Sequence, residues 1–125
     1  MAFETLGPED KRTAVATADL SSYQYRFVTL GASGIALNTV AGGACAGVLQ
    51  DKPVSGQAGA YAKSGRTKVV AGAAVTAGVR VSSDTTGRAI AATTGHFSQG
   101  QAITAASGAG AIITVELLPA SAATA

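Results

Sequence analysis

From Gln24 onward the apolar positions fall in short runs broken by glycine, proline or turn-forming polar residues. QYRFVTL (24–30) is rich in aromatic and β-branched residues, and GASG (31–34) separates it from IALN (35–38), which predicts a hairpin. ACAGVLQ (44–50) predicts a further strand. It should end at Asp51-Lys52-Pro53, because proline lacks a backbone donor and holds the residue before it extended. RTKVV (66–70), VRVSS (79–83) and RAIAA (88–92) continue the series. The last two are joined by Asp84-Thr85-Thr86-Gly87, with a side-chain acceptor first and glycine fourth, as a type I turn favours. QAITAAS (101–107) and AIITVELL (111–118) predict a last hairpin around Gly108-Ala109-Gly110. In its second strand Ile113, Val115 and Leu117 share one face and Thr114 and Glu116 the other. Pro119 is expected to close that strand.

Alanine is the best helix former, but glycine and proline interrupt the chain too often for a window of helical length. Short strands with closely spaced turns predict an all-β fold: a small single-domain β-barrel or β-sandwich of short antiparallel strands with an extended N-terminal arm. The arm is residues 1–22, where Phe3, Leu6, Val15 and Leu20 follow neither a helical nor a strand period and Gly7-Pro8 is a breaker. Residues 23–119 form the β-rich domain and 120–125 a loose tail. The arm reads either as a frayed terminus, the commoner fate of such segments, or as a segment that becomes ordered on a partner with Phe3 and Leu6 as its anchors.

Composition sharpens this picture. A chain of 125 residues carries one domain. Leu, Ile, Val and Phe make up about a fifth of it, close to the level below which chains struggle to fold. Charged residues are only 13%. A thin core under a weakly charged surface points to a protein that rests against other protein. The acidic start MAFETLGPEDK lacks the basic, then apolar, pattern of an export signal. The uncharged stretches Phe27–Gln50 and Ala89–Val115 are broken by glycines and polar residues, so no membrane span is expected.

Reaction chemistry is sparse. With one cysteine, Cys45, and one histidine, His96, no zinc site is expected within one chain. A Cys45/His96 nucleophile and base with Asp84 as orienter can be drawn, but Cys45 among Ala44, Ala46 and Val48 reads as a small buried hydrophobe, and His96 as a loop residue in water. Beyond the arm the acids are Asp51, Asp84 and Glu116, two at turns and one on an outward strand face, which does not make a carboxylate pair. The glycines match no phosphate-binding motif. No cofactor and no enzymatic activity are expected.

Lys63, Arg66 and Lys68 concentrate positive charge, and after residue 22 basic residues outnumber acidic ones, so the domain is basic and the arm acidic. Nucleic acid is a poor fit, with Tyr61 the only aromatic close to this cluster and bases wanting stacking partners. A solvated face or an acidic protein partner fits better.

The order of TADLSSYQYRFVTL (17–30), GVLQDKP (47–53), SGRTKVVAGAAVTAGVRVSSDTTGRAIAA (64–92) and GQAITAASGAGAIITVEL (100–117) resembles the small capsid cement, or head decoration, proteins of tailed bacteriophages. GVLQDKP is the most distinctive piece, followed by Thr67-Lys68-Val69 and the Asp84 to Gly87 turn. The resemblance implies a structural virion protein, synthesised in the host cytoplasm, that binds the outer surface of the mature capsid. There it would stabilise the shell by bridging neighbouring major capsid protein subunits. It also implies a homo-oligomer, with a trimer favoured and a dimer as the other form. Within that reading Phe3, Leu6 and Pro8 are candidate capsid contacts, and Arg26, Lys63, Arg66 and Lys68 candidate charge partners for an acidic shell. The alternative is a virion-surface adhesin or receptor-binding module on a β-sandwich, although Tyr23, Tyr25 and Tyr61 are all the tyrosine a carbohydrate platform could use and tryptophan is absent. A small hydrolase using Cys45 is a third reading.

Overall fold

A computed structural model describes residues 10–121. Its strands are β1 (Asp10–Val15), β2 (Phe27–Gly31), β3 (Gly34–Leu37), β4 (Gly47–Leu49), β5 (Ala58–Val70), β6 (Arg80–Ser83), β7 (Ala89–Ala91), β8 (Ser98–Ala102) and β9 (Ile112–Ser121). Among the described residues there is no helix, hence none long and apolar enough to cross a membrane. The strands pair antiparallel in the order β3-β2-β4-β5-β9-β8-β6-β7, with β1 added on β5. This sheet curls into a half-barrel, so the expected all-β single domain is what forms.

β5 organises the molecule. Its first half pairs with β1 and β4, its second half with β9. The register with β1 slips where Asp10 and Lys11 stand opposite Ser64 and Ala62, which leaves Lys63 as the extra residue. A bulge of this kind bends its strand and increases the local twist, which lets one strand serve both halves of the sheet.

Two apolar clusters explain the strand sequences. In the second half, Val69, Ile113, Val115 and Leu117 point inward while Arg66, Lys68 and Ile112 are exposed, as period-2 alternation dictates. In the first half consecutive residues go to different clusters. Phe27, Val48 and Ala62 join the barrel interior with Val69 and Val115. Their neighbours Val28, Leu49 and Tyr61 join a second cluster with Ala16, Leu20 and Ile35. Gly47–Leu49 is therefore buried at every position and shows no polar alternation. Fully burying a side chain such as Leu20 contributes about 1.5–3 kcal/mol, so this outer cluster clamps the chain that follows β1.

The expected N-terminal arm, 1–22, thus contributes β1 and two buried anchors, Ala16 and Leu20, from Asp10 onward. Residues 1–9 lie outside the described residues. Several strand boundaries differ from the sequence reading. β5 begins at Ala58 rather than near Arg66, because backbone pairing on both edges, with β1 and β4, holds a run of Ala, Gly and Ser that has little strand propensity of its own. β8 runs from Ser98 to Ala102 rather than through 101–107. Pro119 does not end β9, which continues to Ser121. The β8–β9 register is irregular between Ser98 and Gly100, so Pro119 falls in a stretch where no ladder donor is required.

The sheet edges are covered by the chain itself. Thr17 N–H donates to Ile35 O at 2.9 Å beside β3, and Gly72 N–H to Ala89 O at 2.8 Å beside β7. The two halves are stitched by Phe27 N–H to Gly87 O at 2.7 Å and Gly42 N–H to Ser83 O at 2.7 Å. Covered edges of this kind resist uncontrolled strand pairing with other chains.

Candidate functional site

The cationic residues singled out in the sequence occupy three different environments. Arg66 stands directly opposite Glu116 across β5 and β9, and its Nε donates to Oε1 at 3.2 Å. Both side chains are well exposed, so this pair adds no more than about 1 kcal/mol. Lys63, at the bulge, lines a cleft of about 360 Å³ with Leu30, Cys45, Tyr61 and Leu117. Lys68 lies on the outer face with Arg66, its Nζ 5.9 Å from the centroid of the Tyr25 ring. Phe3, Leu6 and Pro8 lie outside the described residues.

Arg26 belongs with Lys68 rather than with the cleft. Its guanidinium lies 5.2 Å from the Tyr23 ring centroid, and its Nη1 donates to Thr86 O at 3.1 Å. Between them sits Tyr25, at φ 64°, the one non-glycine residue with positive φ among the described residues. Left-handed backbone costs a bulky L residue about 1–2 kcal/mol. Two hydrogen bonds hold it there: Tyr25 N–H donates to Leu49 O at 2.8 Å, and Val70 N–H donates to Tyr25 O at 2.9 Å. The segment Tyr23–Arg26 therefore forms a fixed surface of two tyrosine rings, each with a cation within the range of a cation–π contact. Sequence reasoning finds Arg26 and Lys68 but takes Tyr25 as part of a strand that in fact begins at Phe27. Nothing in the letters Tyr-Gln-Tyr-Arg signals a reversed backbone. Tyr61, the third tyrosine, is buried in the second cluster and offers no platform.

The residues of the drawn nucleophilic triad are engaged elsewhere. Burial pushes the Cys45 thiol up to about 12, only partly offset by a hydrogen bond with Ser83, and Sγ faces Gly43 O at 3.4 Å. His96 Nδ1 is 2.7 Å from the hydroxyl of Ser82, which is fully buried. Asp84 is desolvated, which raises its pKa, but the backbone N–H groups of Arg88 and Thr86, the Thr86 hydroxyl and the Arg88 guanidinium outweigh this and hold it below the ordinary carboxylate range. It serves the turn before β7, with Oδ1 accepting from Arg88 N–H at 2.8 Å and Thr86 N–H at 2.9 Å. Among the described residues no three His, Cys, Asp or Glu side chains come together as a metal site.

No protein-family profile and no curated protein sequence matches this chain. The fold, however, has a solved counterpart. It is similar to the N base of the head fiber of bacteriophage phi29, with a TM-score of 0.64 over 88% of this chain and 94% of that one, at 19% sequence identity. The two share an architecture. At that identity the likeness concerns the path of the backbone and not particular side chains.

Proposed function

We propose that this chain is a structural virion protein that binds the outer surface of a phage capsid and stabilises it by bridging neighbouring major capsid protein subunits. The observation that carries the reading is the fold it has in common with the base of a phage head fiber, nearly end to end. The thin core, the weakly charged surface and the engaged state of Cys45, His96 and Asp84 support the same reading.

The mechanism is mechanical. A trimer of this chain contacts several shell subunits at once, so modest contacts combine through high local concentration, and the shell must break them together to open. Binding only the mature shell stabilises that shell by linkage. Phe3, Leu6 and Pro8 act as shell contacts ahead of β1. Removing residues 1–9 keeps every strand of the described residues, and reduced capsid occupancy of that variant is the expected result.

The test compares purified heads with and without the bound chain. Decorated heads resist heat and removal of divalent cations better than bare ones; equal rupture temperatures would sink the stabilising role. Saturable binding to host cells, with no effect on head strength, would instead select the adhesin reading.

A further inference from the structure

The Tyr23–Arg26 surface carries an inference that deepens this reading and rests on it. Lys68 is exposed and Tyr23, Tyr25 and Arg26 are half-buried, so the patch is reachable. Neither Arg26 nor Lys68 meets a carboxylate among the described residues, where Glu116 is engaged by Arg66 and Asp84 by Arg88. Two cations without a carboxylate partner among the described residues thus lie over two tyrosine rings, beside a backbone reversal that a tyrosine does not adopt unaided. Tyr and Arg are the residue types that dominate binding energy at protein interfaces, and fixing them in advance removes part of the ordering cost of association. The position of the cations also selects the ligand. A sugar or a nucleobase stacks on a bare ring face, whereas here each ring has a face taken by the chain's own cation.

We propose that Tyr23, Tyr25, Arg26 and Lys68 form the docking surface for an acidic protein segment, with Arg26 and Lys68 receiving carboxylates of the shell and the tyrosine hydroxyls framing them. The probe is a glutamate decapeptide, titrated into the full chain and followed by NMR, beside a glutamine decapeptide, sialyllactose and an oligothymidylate. The expected shifts centre on residues 23–26 and 68 with the glutamate peptide alone. They fade above about 300 mM salt, are lost in Lys68→Glu, and persist in Lys52→Glu, a charge change at an exposed position outside the patch. Shifts centred elsewhere, equal shifts with the glutamine peptide, or a stronger response to sialyllactose or the oligonucleotide would overturn the proposal. In parallel, Lys68→Glu and Tyr25→Gly weaken binding to bare heads by at least about tenfold while Lys52→Glu does not. Tyr25→Gly suits its own φ, and its melting is measured beside its binding so that a folding defect is told apart from a lost contact. Wild-type and variant chains binding heads equally would remove this surface and leave the capsid reading standing. A wild-type chain that maps the glutamate peptide as expected but ignores heads would do the reverse.

Discussion

The side-chain amide of Asn38 donates to the hydroxyl of Ser83 at 2.8 Å, and both residues are buried. The same nitrogen also faces Val40 O at 2.8 Å and Asp84 O at 3.3 Å. One side chain thus joins the chain leaving β3 to the end of β6, across the opening that the sheet order leaves between its two ends.

Asn38→Ala leaves the buried Ser83 hydroxyl without this donor, while Val40 O still accepts from Gly43 N–H and Asp84 O from the Ser83 hydroxyl, and stability falls by about 1–3 kcal/mol. Urea unfolding should show an earlier midpoint with an unchanged slope. A loss within about 0.5 kcal/mol would mean that the seam does not depend on this amide.

The turn at Asp84 predicts a dependence on pH. Its folded pKa lies below the unfolded value near 3.8, so its contribution is present above that value and is lost as pH falls through the folded pKa. At neutral pH Asp84→Asn is less stable by about 2 kcal/mol, the worth of a charge-assisted hydrogen bond. Unfolding midpoints of the two proteins converge as the pH is taken from 7 to about 2. A gap that stayed constant would assign the effect to shape rather than charge.

Cys45 should be inert in the folded protein. With its pKa near 12, only about one thiol in ten thousand is ionised at pH 8. Iodoacetamide therefore labels the chain in guanidinium but not in buffer. Rapid labelling of the native protein would contradict the desolvation that raises this half-buried thiol's pKa.

Two glycines should respond in opposite ways. A Cβ on Gly47 would run into the carbonyl oxygen of Ala62, because β4 and β5 approach closely there. Gly108 has nothing within 4 Å of its hypothetical Cβ. Gly47→Ala should cost about 1–3 kcal/mol as overpacking, while Gly108→Ala stays neutral or gains up to about 1 kcal/mol from a stiffer unfolded chain. Thermal melting of the two variants side by side checks the contrast.

The hairpin of β2 and β3, the Asp84–Gly87 turn and the inward set Ile113, Val115 and Leu117 are legible in the sequence because each has a local cause: β-branched runs, an Asx acceptor before glycine, or strict alternation. β1 has no such cause. Asp10–Val15 is held by backbone pairing to β5, and its anchor Leu20 lies beyond it in the chain. The first half of β5 is equally silent, since Ala, Gly and Ser there are selected by close packing on both faces rather than by strand propensity. At the candidate surface, Arg26 and Lys68 are visible as charges, but their separation from Lys63 and Arg66 is not. That sorting depends on a bulge at Lys63, on Glu116 standing opposite Arg66, and on a reversed tyrosine, all products of tertiary pairing.

Because β5 belongs to both halves of the sheet, tension applied to one half reaches the other along a covalent chain, with no seam of side chains to peel apart on the way. On the proposed capsid role, a load passed between the two halves would therefore travel along one continuous tether.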